Sequence, residues 1–235
     1  MPSAPRPSVS CIMPAFNEEE TISVAVANVR RALEDLTGDF EIIVVDDGST
    51  DHTGARLDAL ASAGELRVVH LAENRGYGWA LRMGFAAASR SLLFFTDSDD
   101  QFDPMDLSRL LAVIDSADIV IGHHEARRDG KLRAALSSGY NALVRRVLEV
   151  HVRDVNCEFK LVRREVLVGM ELVSTGYGIN AEMMARAGRA RLRVREVPVS
   201  HRPRRAGRSK VGIANVPSSL LDLLSLRRAL RTPPA

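Results

Sequence analysis

The chain has only two cysteines, Cys11 and Cys157, in 235 residues. That number excludes a disulfide framework, and their spacing excludes a cysteine metal site, so a reducing cytosol is the expected setting. No apolar run reaches the roughly 18 residues a spanning helix needs, and the Pro- and Ser-containing start lacks a signal-peptide core. The expectation is a cytoplasmic protein, soluble or peripheral at a membrane but not integral. Lysine is scarce as well: the basic residues are nearly all arginine and crowd into the last third, notably Arg186 to Lys210. Arginine in such density suits phosphate recognition, although a GC-rich genome also replaces lysine by arginine. Net charge stays close to neutral at +2, and nucleic acid is not an expected partner. Internal repeats and low-complexity linkers are absent too, and 46% hydrophobic content is ample for one core.

What the chain does have is alternation. Apolar strands are expected at Val9 to Met13, Glu41 to Val45, Arg67 to Leu71, Ser91 to Phe95, Asp118 to Gly122 and Arg193 to Val199. Between the first of these lie helices: one from about Glu19 to Leu36 with Ile22, Val26, Val29 and Leu33 on one face, one after Asp51, and one through Ala88. Later helices are expected from about Leu132 to Leu148 and near Asn180-Ala181-Glu182, while Asp154 to Leu161 leads into short elements. Short connections between strand and helix argue for an α/β fold: one doubly wound, mostly parallel sheet flanked by helices. The division expected is a single domain, with residues 8–122 as its first half, 123–212 as its second and 213–235 as a C-terminal helix and tail.

The fourth strand ends abruptly in Asp97-Ser98-Asp99-Asp100-Gln101. Open α/β sheets keep their ligands at the carboxyl ends of the strands, so this is where chemistry is expected. Asp97, Asp99 and Gln101 alternate; an extended chain would point all three the same way and offer hard oxygen ligands to Mg²⁺ or Mn²⁺. Since Mg²⁺ usually takes one or two carboxylates plus substrate phosphates, a phosphate-bearing substrate is implied. The competing reading is a solvated turn and helix cap before Pro104. A second strand closes likewise in Asp46-Asp47-Gly48-Ser49-Thr50-Asp51, where Asp46 is either a turn-capping carboxylate or a binding group.

Gly76-Tyr77-Gly78 follows a strand and opens a helix, yet the third glycine of a dinucleotide fingerprint would fall at Leu81. No G-x-x-x-x-G-K-[ST] occurs either, so an NAD enzyme and a P-loop NTPase are both excluded.

Taken together, Pro14 to Glu19, Asp46 to Asp51, Asn74 to Gly78 and Asp97 to Gln101 resemble family 2 glycosyltransferases of the GT-A fold. The likeness is closest to the dolichyl- or polyprenyl-phosphate sugar synthase branch. It extends to Asp154 through Arg164, similar to D-x-x-x-x-F-x-L-x-R-R, and to Arg204 through Lys210, similar to R-x-x-G-x-S-K. The resemblance implies a GDP- or UDP-linked donor against Pro14, Phe16, Glu18 and Asp47, and a metal on Asp97, Asp99 and Gln101. It also implies acceptor-phosphate contacts from Arg133, Ser137, Arg204, Ser209 and Lys210, with Arg133 and Arg204 carrying the reaction beside Asp97 and Asp99. A lipid monophosphate is already ionised near neutrality and needs cations, whereas a hydroxyl acceptor needs a base, for which Glu182 or Asp154 would serve. A hydroxyl-acceptor relative and a nucleotide-sugar-binding module without turnover are the alternatives.

Two departures stand out: Gly122-His123-His124 replaces a Gly followed by Arg, and Glu158 stands where a small residue is usual. Glu182 reads either as a substrate-facing group or as an acid at a helix N-terminus. His123 and His124 lack metal-ligand neighbours in the sequence. Ile213 to Leu230 is amphipathic with Arg227, Arg228 and Arg231 at its end; it either packs on the core or a partner, or lies at the inner face of the plasma membrane where a lipid acceptor is presented.

Overall fold

The computed structural model describes residues 6–124, 139, 142–148, 150, 152–203 and 226. Its centre is β1 (Ser8–Ala15), hydrogen-bonded in parallel to β2 (Asp39–Asp46) on one side and β4 (Leu92–Phe95) on the other. Covered on both faces, β1 buries Val9, Cys11, Ile12 and Met13 completely, as a central parallel strand must. β3 (Arg67–His70) extends the sheet beyond β2. The order of the seven strands is β3-β2-β1-β4-β6-β5-β7, with β5 at Ile119–His124, β6 at Lys160–Arg163 and β7 at Val194–Val199. Strands from both halves of the sequence therefore share one sheet.

β6 is the element absent from the sequence expectation. It runs antiparallel to both β4 and β5, pairing Lys160 with Phe95 and with Ile121. Because its direction is reversed, the residues that lead into it arrive at the same edge where β4 and β5 end. β5 itself runs two residues past its expected end, through His123 and His124.

Helices cover both faces. α1 (Ile22–Leu36) starts three residues later than expected, since Glu18 to Thr21 forms a turn, and buries Ile22, Ala25, Val26, Val29, Ala32 and Leu33 at helical spacing. It stops where Thr37 Oγ1 donates to the Leu33 carbonyl at 2.6 Å. α2 (Thr53–Ser62) and α3 (Tyr77–Ala87) complete the first half, and Gly84 lets α3 touch β1, since a Cβ there would lie 2.3 Å from Ile12 Cγ2. Then come α4 (Leu107–Leu111), helical residues 142–148 (α5), α6 (Arg164–Val168) and α7 (Gly178–Arg189). Edge-to-face contact of Phe94 with Phe159, centroids 4.8 Å apart, ties β4 to the approach to β6. Among the described residues no helix is long and apolar enough to cross a membrane.

The chain leaves β1 for β2 on one side and returns for β4 on the other. That reversal opens a crevice at the carboxyl ends of β1 and β4, the usual ligand position in doubly wound sheets.

Candidate active site

Side-chain hydrogen bonds stitch the loops of this edge together. Ser98 Oγ donates to the Pro14 carbonyl at 2.9 Å, and Thr21 Oγ1 lies 3.0 Å from Glu18 Oε2 and 3.2 Å from the Ser98 carbonyl. Asn17, at φ 51°, accepts from the Thr50 amide, while the Glu18 amide donates to Thr53 Oγ1. Asp47 takes the Arg75 and Gly76 amides on its two oxygens at 2.8 and 2.9 Å. Burial nonetheless pushes its pKa up, outweighing those two bonds. Asp47 is thus a brace for the loop after β3, with further lone pairs for a ligand.

Asp46 takes the capping role. Its carboxylate accepts from the Ser49 amide at 3.0 Å and meets His70 Nδ1 at 3.0 Å, while His70 Nε2 meets Asp58 at 3.0 Å. Burial opposes the imidazolium, but the hydrogen bonds to Asp58 and Asp46 outweigh it and raise the His70 pKa. A histidine raised in the folded state adds stability that is complete below its unfolded pKa of about 6.5 and lost as pH climbs through the folded value. The stability difference between wild type and His70→Gln is therefore expected to shrink as pH rises above about 6.5 in thermal melts. A difference that grows with pH would contradict the bridge.

Beyond β4 the backbone does not stay extended. It bends at Ser98 to Asp100, and Asp100 adopts φ 57° and accepts from Asn28 at 2.8 Å. The expected common face of Asp97, Asp99 and Gln101 is therefore not produced by strand alternation. Asp99 folds back to accept the Gln101 amide at 3.1 Å, and Gln101 Nε2 donates to the Arg202 carbonyl at 3.1 Å. Gln101 is tied to the segment after β7, with Phe102 bridged to His201.

Asp97 instead turns to Glu158. Burial, then the charges of Glu158 and Asp99, hold Asp97 well above the usual carboxylate range, and a hydrogen bond joins it to Glu158. Burial likewise lifts Glu158 to about 7, against the opposing charge of Lys160. Two carboxyl groups so placed share a proton near neutrality. A divalent cation satisfies the same electrostatic need with ligands of the right hardness, so the residues present fit Mg²⁺ or Mn²⁺. Among the described residues no three His, Cys, Asp or Glu side chains are arranged to hold a metal unaided. Two carboxylates completed by substrate phosphate is the arrangement that remains.

Lys160 was not expected here. Fully buried on β6, it donates to Asn180 Oδ1 at 2.7 Å and to the Cys157 carbonyl, and burial lowers its pKa. The available signal was a lone cation between Phe159 and Leu161, at an inward position. Glu182 departs from both of its expected readings. It lies inside α7, not in its first turn, and its carboxylate is taken by the Val173 and Ser174 amides and by Arg186 Nε at 2.9 Å. A buried acid so engaged is a structural anchor. Across the crevice, His124 Nδ1 meets Asp154 Oδ2 at 2.8 Å and its ring lies edge-on to His201, centroids 4.6 Å apart. Arg133, Ser137, Arg204, Ser209, Lys210 and, apart from the buried, helical Leu226, residues 213–230 lie outside the described residues.

Comparison with known proteins agrees with the fold. The model for glycosyl transferase family 2 matches residues 10–169. Undecaprenyl-phosphate 4-deoxy-4-formamido-L-arabinose transferase of Yersinia enterocolitica is 30% identical over 92% of this chain and 66% of its own length. Dodecaprenyl-phosphate galacturonate synthase of Rhizobium johnstonii is 31% identical over 95% of this chain and 67% of its own. The chain thus spans about two thirds of the length of these relatives. Among solved structures, glucosyl-3-phosphoglycerate synthase of Mycobacterium tuberculosis in complex with phosphoglyceric acid has a TM-score of 0.71 at 25% identity, covering 97% of this chain and 82% of that one. The same enzyme in complex with Mn²⁺ and UDP-glucose has a TM-score of 0.71 at 24% identity, covering 97% and 81%. With the family match running from β1 to α6, through every acidic loop of the crevice, the chain belongs to glycosyl transferase family 2 and is a glycosyltransferase of the GT-A fold.

Proposed function

We propose that this enzyme moves a hexose, with inversion, from a GDP- or UDP-linked donor to a polyprenyl phosphate. The observation that carries the reading is the Asp97–Glu158 carboxyl pair beside Asp99, at the carboxyl edge where the sheet reverses. Asp97 and Asp99, with Gln101 alongside, would hold Mg²⁺ or Mn²⁺, which neutralises the diphosphate as it leaves. The nucleoside would rest against Pro14, Phe16, Glu18 and Asp47, whose loops are already fixed to one another. A single displacement inverts the anomeric centre, and among the described residues no side chain is placed as a nucleophile for a covalent intermediate.

For the acceptor, the support is the names of the two relatives, which specify undecaprenyl and dodecaprenyl phosphate. An ionised lipid phosphate requires cations, for which Arg133, Ser137, Arg204, Ser209 and Lys210 are the candidates, at the inner face of the plasma membrane. One observation favours a second reading. An imidazole whose Nδ1 is held by a carboxylate presents Nε2 as a general base, so the Asp154–His124 pair suits a hydroxyl acceptor.

Incubation with labelled nucleotide sugars and bacterial lipid extract separates the two. Label in the organic phase that mild acid releases supports the lipid phosphate; label retained in an aqueous oligosaccharide supports the hydroxyl. Arg133→Ala is expected to raise the acceptor KM at least about 10-fold while the donor KM moves less than about threefold. The reverse pattern would mean that the acceptor side is misplaced.

A further inference from the structure

Trp79 is the chain's one tryptophan, and none of the roles above uses it. It stands in the first turn of α3, partly exposed, with the Arg75 guanidinium over its ring at 4.3 Å and the Arg82 guanidinium at 5.0 Å. Both cations are oriented by that ring. Arg82 Nη1 also donates to the Val173 carbonyl at 3.2 Å, and the Trp79 amide donates to the Thr175 carbonyl at 3.0 Å, so residues 173–175 border the same patch. Val173 is 55% exposed, and Val168, which ends α6, is 67% exposed. Among the described residues neither guanidinium forms an ion pair, although Glu73 and Glu171 are exposed nearby in the sequence.

An aromatic ring flanked by cations and by an exposed aliphatic side chain has the chemistry of a membrane–water interface. The ring sits at the level of the headgroups while the guanidiniums meet lipid phosphates. Position agrees with chemistry. The Arg75 amide is bonded to Asp47, and Trp79 lies two residues past the start of α3, so the patch borders the carboxyl edge of the sheet. We infer that Arg75, Trp79, Arg82 and Val173 dock the enzyme on an anionic bilayer, bringing the mouth of the crevice to the lipid surface. The inference rests on a lipid-phosphate acceptor and adds the surface by which the enzyme reaches it.

A single tryptophan makes the test direct. The full chain is mixed with vesicles of phosphatidylcholine, alone or with phosphatidylglycerol. Trp79 emission is expected to shift to the blue, and to be quenched by acyl-brominated phosphatidylcholine, only where phosphatidylglycerol is present. Replacing both cations, Arg75→Gln with Arg82→Gln, should weaken partitioning about 25-fold, at about fivefold per arginine near such a surface. If that variant melts early, the wild-type quenching decides alone. Protein that sediments with anionic vesicles while Trp79 stays unquenched would put the docking surface elsewhere and overturn the inference. Equal quenching in neutral vesicles, or a blue shift that grows with protein concentration in the absence of lipid and so reports a second copy, would overturn it as well. Transfer to polyprenyl phosphate in detergent micelles reports separately on the proposed function. Activity there with an unquenched Trp79 removes only the docking surface, whereas a bound nucleotide sugar with no transfer removes the acceptor and this inference together.

Discussion

Asp97→Asn is expected to reduce metal-dependent transfer by about 10³-fold or more while making the metal-free protein more stable at neutral pH. The two effects share one cause. Asp97 is crowded by Glu158 and Asp99, and its folded pKa stands above the unfolded value of about 3.9. Over that interval the folded state binds the extra proton, so wild-type stability falls as pH rises from the unfolded toward the folded value. Asparagine keeps the shape and removes the charge, so the variant lacks this loss. Its advantage should be small at about pH 4 and grow as pH rises above that, as read by melts without metal. With Mn²⁺ and nucleoside diphosphate the order should invert, since the ligands protect only a site that retains its carboxylate. Asp99→Ala is expected to match the activity loss. Unchanged turnover in either variant would remove the metal site proposed here.

How far the site could be read from sequence depends on where local pattern and tertiary contact agree. β2 and β4 are apolar runs that end in acids and β1 is one that leads, past Phe16 and Asn17, to Glu18, and the sheet's carboxyl edge follows from them because both faces are buried. β6 escaped for a physical reason: only four residues long, it carries a buried lysine at its first position and an arginine at its last. Neither alternation nor an apolar run survives that. The Asp97-to-Gln101 segment was legible as acid at a strand end but not in its geometry, because Asp100 at positive φ turns the chain where extension was assumed. Glu158 was legible only as a departure, since its partner Asp97 is 61 positions away and meets it only through the antiparallel pairing of β4 with β6. Glu182 shows the converse. An acid near a helix start suggested a dipole or a catalytic role, yet two loop amides and Arg186 claim its oxygens.

Lys160→Met is expected to destabilise the fold by about 2–4 kcal/mol, although methionine is the better residue for an apolar interior. Lys160 is fully buried, and its ammonium serves two neutral acceptors, the Asn180 side chain and the Cys157 carbonyl. Removing it strands both acceptors and withdraws the positive charge that offsets Glu158, Asp154 and Asp97. Each stranded acceptor costs about 1–3 kcal/mol, which exceeds the roughly 1–2 kcal/mol gained by no longer desolvating an ammonium in contact with those groups. Denaturant titration gives the magnitude, and a double-mutant cycle with Glu158→Gln isolates the charge term. If the lysine balances the acid edge, the double variant should lose at least about 1 kcal/mol less than the sum of the singles. Strict additivity would mean that Lys160 acts only through its hydrogen bonds, and a stabilised single variant would mean that its charge is a net liability the acids do not offset. The arrangement also explains why a crowded acidic edge can exist before any metal arrives: one cation is built into the sheet beneath it, placed by β6 beside β4, whose end leads into Asp97 and Asp99.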